Sequence, residues 1–106
     1  MISFLLKYEI DPLQPAAIER YSLGWIHLVR EHGGVHSGFH VSRDVPREMI
    51  GFFAFQSQAH YDEFRRIAVR TKSANDLWEL ASSTQSVRFR ERQVFQSVAD
   101  EACADH

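Results

Sequence analysis

Cysteine is almost missing from this chain. The only one, Cys103, has no second thiol to pair with, so no internal disulfide can staple the fold, as suits a reducing compartment. No apolar run approaches the ~20 residues that a membrane-spanning helix needs. The first residues, Met1 to Tyr8, carry no basic leader, and no signal peptide is expected. Neither sign of charge dominates: 12 Lys and Arg face 14 Asp and Glu, for a net charge of −2. That balance provides no broad basic surface for nucleic acid or an anionic membrane. Glycine and proline are too few, at 5 and 3, for a collagenous or low-complexity chain.

Sequence signatures of chemistry are also missing. No glycine-rich phosphate loop, Cys/His zinc spacing or paired-carboxylate motif is present. Ser82, Ser83 and Thr84 lack the flanking glycines of a nucleophile elbow. Gly33-Gly34-x-x-x-Gly38 follows a helix and enters a strand, the reverse of a dinucleotide fingerprint.

What remains is an ordinary soluble composition, 44% hydrophobic and 25% charged over 106 residues. A chain of this length suits one domain, which buries roughly two-thirds of its unfolded surface. Ile2, Phe4, Leu6, Tyr8 and Ile10 recur at every second position, the period of a half-buried strand. Asp11-Pro12 ends it, and a helix begins at Pro12 or Pro15. Its apolar stripe is Ile18, Tyr21, Trp25, Leu28 and Val29, and Gly33-Gly34 stops it near His32.

Val35 to Val41 alternates as a second strand, a polar loop runs from Ser42 to Glu48, and Met49 to Phe55 is apolar enough for a central strand. Ser57 caps a second helix bearing Tyr61, Phe64 and Ala68. Ser73-Ala74-Asn75-Asp76 starts a further short helix with Leu77, Trp78 and Ala81, and Val87 to Phe95 is the last strand. The order is that of a ferredoxin-like α+β domain over 1–95, with a polar, acidic and poorly ordered tail over 96–106.

Strict alternation puts Ile2, Phe4, Leu6, Tyr8, Val35, Phe39, Val87 and Phe89 against the helices. The opposite face then carries Leu5, Lys7, Glu9, His36, Gly38, His40, Ile50, Phe52, Arg88, Arg90 and Arg92. Gly34 and Gly38 leave space there, and a second copy is expected to cover this face, enclosing a cationic cavity between two sheets. Arginine matches carboxylate and phosphate bidentately, so the cavity suits an acidic ligand.

Lys7, Phe52, Arg88, Arg90 and Arg92 are the candidate ligand-binding residues. The plainer reading of the arginines is a charged, aggregation-resistant edge. His36 and His40 are candidate general bases, since histidine titrates near neutrality. Four strand residues span about 13 Å, too far for this pair to chelate one metal ion. The alternative is that both merely hydrogen-bond. Trp25 and Trp78 read as packing.

Ile10-Asp11-Pro12 stands before a helix with Tyr21 and Trp25-Ile26-x-x-Val29, and Gly33-Gly34-x-x-x-Gly38-Phe39 follows. Then come Phe55-x-Ser57-x-x-x-Tyr61-x-x-x-Arg65 and Glu91-Arg92-x-x-Phe95. In their order and spacing, over residues 2–95, these motifs resemble the NIPSNAP family. The resemblance implies a ferredoxin-like domain paired into a dimeric α/β barrel, a superfamily that includes small antibiotic-type monooxygenases, haem-degrading enzymes and muconolactone isomerases. Animal members are mitochondrial and linked to vesicle traffic and autophagy receptors. This chain lacks the long N-terminal region of those animal proteins, so a mitochondrial address and receptor binding are not carried over, and a compact, single-domain, bacterial-type cytoplasmic member is expected.

Two functions follow. The first is a homodimeric binding or interaction module for a small acidic or aromatic molecule, without a cofactor. The second is a cofactor-independent monooxygenase- or isomerase-like enzyme, with His36 or His40 as base and Arg88, Arg90 or Lys7 holding the substrate's anion. Haem on a single histidine is a variant of the second.

Overall fold

The computed structural model describes residues 1–98. The expected tail falls mostly outside the described residues, although Gln96 extends the last strand by one position. The elements are β1 (Ile2–Ile10), α1 (Pro15–Glu31), β2 (Val35–Val41), β3 (Glu48–Phe55), α2 (Gln58–Ile67), a 3₁₀ turn (Ala68–Arg70), α3 (Lys72–Thr84) and β4 (Val87–Gln96). The four strands form one antiparallel sheet in the order β2-β3-β1-β4, the ferredoxin-like arrangement.

Local chemistry explains the boundaries. The Asp11 carboxylate accepts the Leu13 N–H and the Gln14 amide, holding a turn that delays α1 until Pro15, where a missing N–H costs nothing. Gly33, at φ +82, ends that helix in a backbone conformation that glycine adopts freely. The Ser57 hydroxyl accepts the His60 N–H and so caps α2, as the sequence indicates. The cap of α3 is Thr71 rather than a residue of the Ser73 cluster; its hydroxyl accepts the Ala74 N–H.

All three helices lie on one face of the sheet. Phe4, Phe53, Phe55, Tyr61 and Phe64 pack on Val29 and Ile2 at one end. Tyr8, Ile10, Tyr21, Leu28, Met49 and Leu77 pack at the other, and Leu6 and Trp25 touch both groups. The β1 and α1 stripes thus face inward as their periods require.

Two strands depart from strict alternation. On β2, His36 pairs with Phe53 but Phe39 pairs with Gly51, so an extra residue bulges between them. Gly38 sits there at φ +98, which a side chain would oppose. The bulge puts His36 and Phe39 on the same helix-facing side, with ring centroids 4.8 Å apart, and leaves Val35 57% exposed on the other. Phe39 can enter because Gly51 is bare: a Cβ there would come within 2.6 Å of its ring.

On β4, Tyr8 pairs with Phe89 while Lys7 pairs with Glu91, which makes Arg90 the extra residue. Arg88 therefore lies on the outer face beside Glu9, while Arg92 crosses to the helix face opposite Leu6. The expected space at Gly34 is filled, since an added Cβ would sit 2.6 Å from Val29 and 2.8 Å from Phe55.

Candidate functional site

The two bulges gather side chains around a cavity of about 660 Å³ between the sheet and its own helices. It is not the inter-sheet cavity that alternation implies. Its floor includes Leu6, Tyr8, Phe39 and Phe53 from the sheet, and Tyr21, Trp25 and Trp78 close it from α1 and α3. Tyr61, Phe64 and Arg65 come from α2, and Arg90 and Arg92 form the β4 rim. A volume in this range fits a small organic ligand, and the wall is chiefly aromatic.

The polar groups on this wall are mostly donors. The Trp25 indole Nε1 is buried without a hydrogen-bond partner, the one such side-chain atom among the described residues. It lies near enough to the Tyr21 phenol to favour that oxygen's negative form, although the pair does not meet hydrogen-bond geometry. Burial still raises Tyr21 above the ordinary tyrosine range. Burial and the neighbouring Tyr21 raise Tyr8 too, so both phenols remain protonated.

Arg65 and Arg92 both donate to the Tyr61 hydroxyl oxygen, at 3.3 and 3.0 Å. Each guanidinium lies over a ring, Arg65 over Tyr61 and Arg92 over Phe4, with 5.9 Å to each centroid. Neither is ion-paired to a carboxylate among the described residues.

His36 borders the cavity, where its Nδ1 accepts the Gly38 N–H at 2.9 Å. The ring's proton therefore resides on Nε2. Burial, then the positive charges of Arg30 and His40, lower its pKa to about 4. At neutral pH His36 is an uncharged donor whose only free-pair nitrogen is occupied, which suits neither a general base nor an iron ligand. The haem variant accordingly finds no fitting ligand in this cavity.

His40 is elsewhere. It is exposed on the outer face opposite Ile50, with its Nε2 against the Ser37 carbonyl at 3.2 Å. Lys7 is also on the outer face, 3.6 Å from Glu91. Phe52 pairs with Leu5 on that face, and Arg88 lies 3.7 Å from Glu9. Of the sequence-derived candidates, the structure brings His36, Arg90 and Arg92 to one cavity and leaves Lys7, His40, Phe52 and Arg88 away from it.

Sequence reasoning missed Arg65, Tyr61 and Trp25 as site residues. Tyr61 and Arg65 stand four apart on a helix, a spacing that aligns them on one face. No group of three or more His, Cys, Asp or Glu stands close enough to hold a metal ion among the described residues.

A groove of about 760 Å³ at the neighbouring end of the sheet shares Tyr21, Trp78 and Phe89 with this cavity. Its rim charges offset one another, with Arg47 near Asp11 and Arg88 beside Glu9. It therefore selects no ligand charge.

Together these features define a class: a ferredoxin-like domain with an aromatic, donor-lined cavity on the helix side of its sheet. Solved structures share the architecture. An uncharacterised NIPSNAP-domain protein from Burkholderia xenovorans superposes with a TM-score of 0.71 at 10% identity, covering 94% of this chain and 97% of that one. A NIPSNAP-family protein of unknown function from Agrobacterium tumefaciens gives 0.67 at 16% identity, over 90% of this chain and 84% of that one.

A Nitrosomonas europaea protein provisionally described as an antibiotic biosynthesis monooxygenase gives 0.66 at 12% identity, over 92% and 99%. No protein-family model matches the chain, and no curated protein matches its sequence. The chain thus has the fold that NIPSNAP-domain and antibiotic biosynthesis monooxygenase-like proteins share, as the sequence resemblance implies.

Proposed function

We propose that this protein binds a small, planar, acidic aromatic molecule in the cavity between its sheet and helices, and does so as a homodimer. The observation that carries the reading is the cavity wall, which combines aromatic rings with a buried Trp25 Nε1 that has no hydrogen-bond partner and with the guanidiniums of Arg65 and Arg92, which meet no carboxylate among the described residues. A buried donor without an acceptor is costly, and a ligand oxygen would supply the missing partner.

The dimer rests on the opposite face. Val35 and Phe95 are exposed there beside half-buried Leu5, Ile50 and Phe52, and no helix among the described elements covers them. A second copy of the same face would remove that patch from water.

The likeness to the provisionally described monooxygenase favours a second reading, a cofactor-independent enzyme acting on the same kind of molecule. In that case Arg65 and Arg92 stabilise negative charge as it develops on the substrate. His36 holds a neutral N–H against the substrate instead of taking its proton.

Native mass spectrometry of gently purified protein tests the binding reading. The expected result is a species of twice the 12.3 kDa chain mass that takes up one aromatic carboxylate per chain. A monomer would remove the dimer from the account. A chain that takes up no aromatic acid from a panel of benzoates and naphthoates would remove the ligand.

A further inference from the structure

We infer that Tyr61, Arg65 and Arg92 form a carboxylate-binding site at the mouth of the cavity, one that fixes which end of an aromatic acid points outward. The inference rests on the binding reading above and deepens it by naming the ligand's anchoring group and its seat.

Tyr61 is buried through its ring, and its oxygen accepts from Arg65 Nη1 at 3.3 Å and from Arg92 Nη1 at 3.0 Å. A phenol oxygen has two lone pairs, and both are then used. Its own hydroxyl hydrogen has no acceptor among the described residues. One point on the surface therefore concentrates two cations and a free O–H donor, with no carboxylate bonded to them among the described residues.

Bringing two like charges to one oxygen is unfavourable unless a negative group offsets them. Nearby Glu91 does not, since its carboxylate turns to Lys7 on the other face at 3.6 Å. Each guanidinium also lies 5.9 Å from a ring centroid, Arg65 from Tyr61 and Arg92 from Phe4, a contact that limits its freedom before any ligand arrives.

The donor set favours a carboxylate over a phosphate. All three groups are side chains, two from within α2 and one from β4. No helix N-terminus or run of backbone N–H groups contributes to the cluster to engage a third oxygen. Two planar guanidiniums and one phenol match two carboxylate oxygens. The aromatic walls behind them, including Phe53 and Phe64, accept the ring to which that carboxylate is attached.

Calorimetric titration of the full chain with 1-naphthoate and with its uncharged counterpart 1-naphthamide tests the inference. The carboxylate should bind about tenfold more tightly than the amide, the scale of a charge-assisted pair. In Arg65→Gln and Arg92→Gln, and most fully in the double variant, that preference should disappear. Amide binding should weaken less than carboxylate binding, and an unchanged circular dichroism spectrum shows that the variants fold. Tyr61→Phe should weaken the carboxylate alone. Equal binding of both probes to the unaltered protein would overturn the carboxylate site while leaving the cavity reading intact. Binding of neither probe would overturn both.

Discussion

Acidification from pH 7 to 4 destabilises the folded chain by about 2 kcal/mol through His36 alone. The imidazole titrates near its ordinary value of 6.5 when unfolded but at about 4 when folded, because burial and the charges of Arg30 and His40 disfavour the cation. Between those values the unfolded chain binds more protons, so stability falls as pH drops from 6.5 and levels off below 4. At ~1.4 kcal/mol per pH unit the interval corresponds to about 3 kcal/mol, which water reaching the cavity reduces to about 2. A protonated Nδ1 also cannot accept the Gly38 N–H, so the β2 bulge loses a tie.

The lowered carboxylate pKa values of Asp11 and Glu63 add a loss that both proteins in the comparison share. Urea unfolding at pH 7, 5.5 and 4 should show a steep loss for the natural chain and a shallow one for His36→Gln. Parallel losses in the two proteins would place the acid sensitivity elsewhere.

Leu5→Glu or Phe52→Glu is expected to dissociate the proposed dimer, with a loss of about a thousandfold in association. The two residues pair across β1 and β3 on the face away from the helices. In a twofold interface each substitution acts twice, removing an apolar side chain and introducing a charge from both copies. The helix-side core is untouched, so each variant should keep the circular dichroism spectrum of the parent. Analytical ultracentrifugation reads the outcome. Parent protein that sediments as a monomer, or variants that remain dimeric, would rule out this interface.

The element order was plain in the sequence because strand and helix periods were clean. Ile2 to Ile10 alternates without interruption, and the α1 stripe from Ile18 to Val29 buries or half-buries every member. The candidate site was less legible, for a geometric reason. A period-2 pattern assigns faces only while no residue is inserted, and both β2 and β4 carry a bulge.

Gly38 moved His36 from the outer face to the cavity wall, and Arg90 separated Arg92 from Arg88. The glycine was a visible cue to the first bulge. Nothing local marks Arg90 as extra, since arginine neighbours it on alternate positions. Arg65 needed the tertiary fold, because its meeting with Arg92 at Tyr61 joins α2 to β4 across 31 residues of sequence from Tyr61 to Arg92.

The central claim is that the ligand enters between the sheet and the helices rather than between two sheets. Chemical-shift mapping of isotope-labelled protein during titration with 1-naphthoate tests it directly. The Trp25 indole N–H signal should move most as it gains an acceptor or a ring neighbour, together with signals from Tyr61, Arg65 and Arg92, while Lys7, Phe52 and Arg88 hold still. Shifts concentrated on Lys7, Phe52 and Arg88, with an unmoved Trp25 indole, would place the ligand on the outer sheet face and contradict the account.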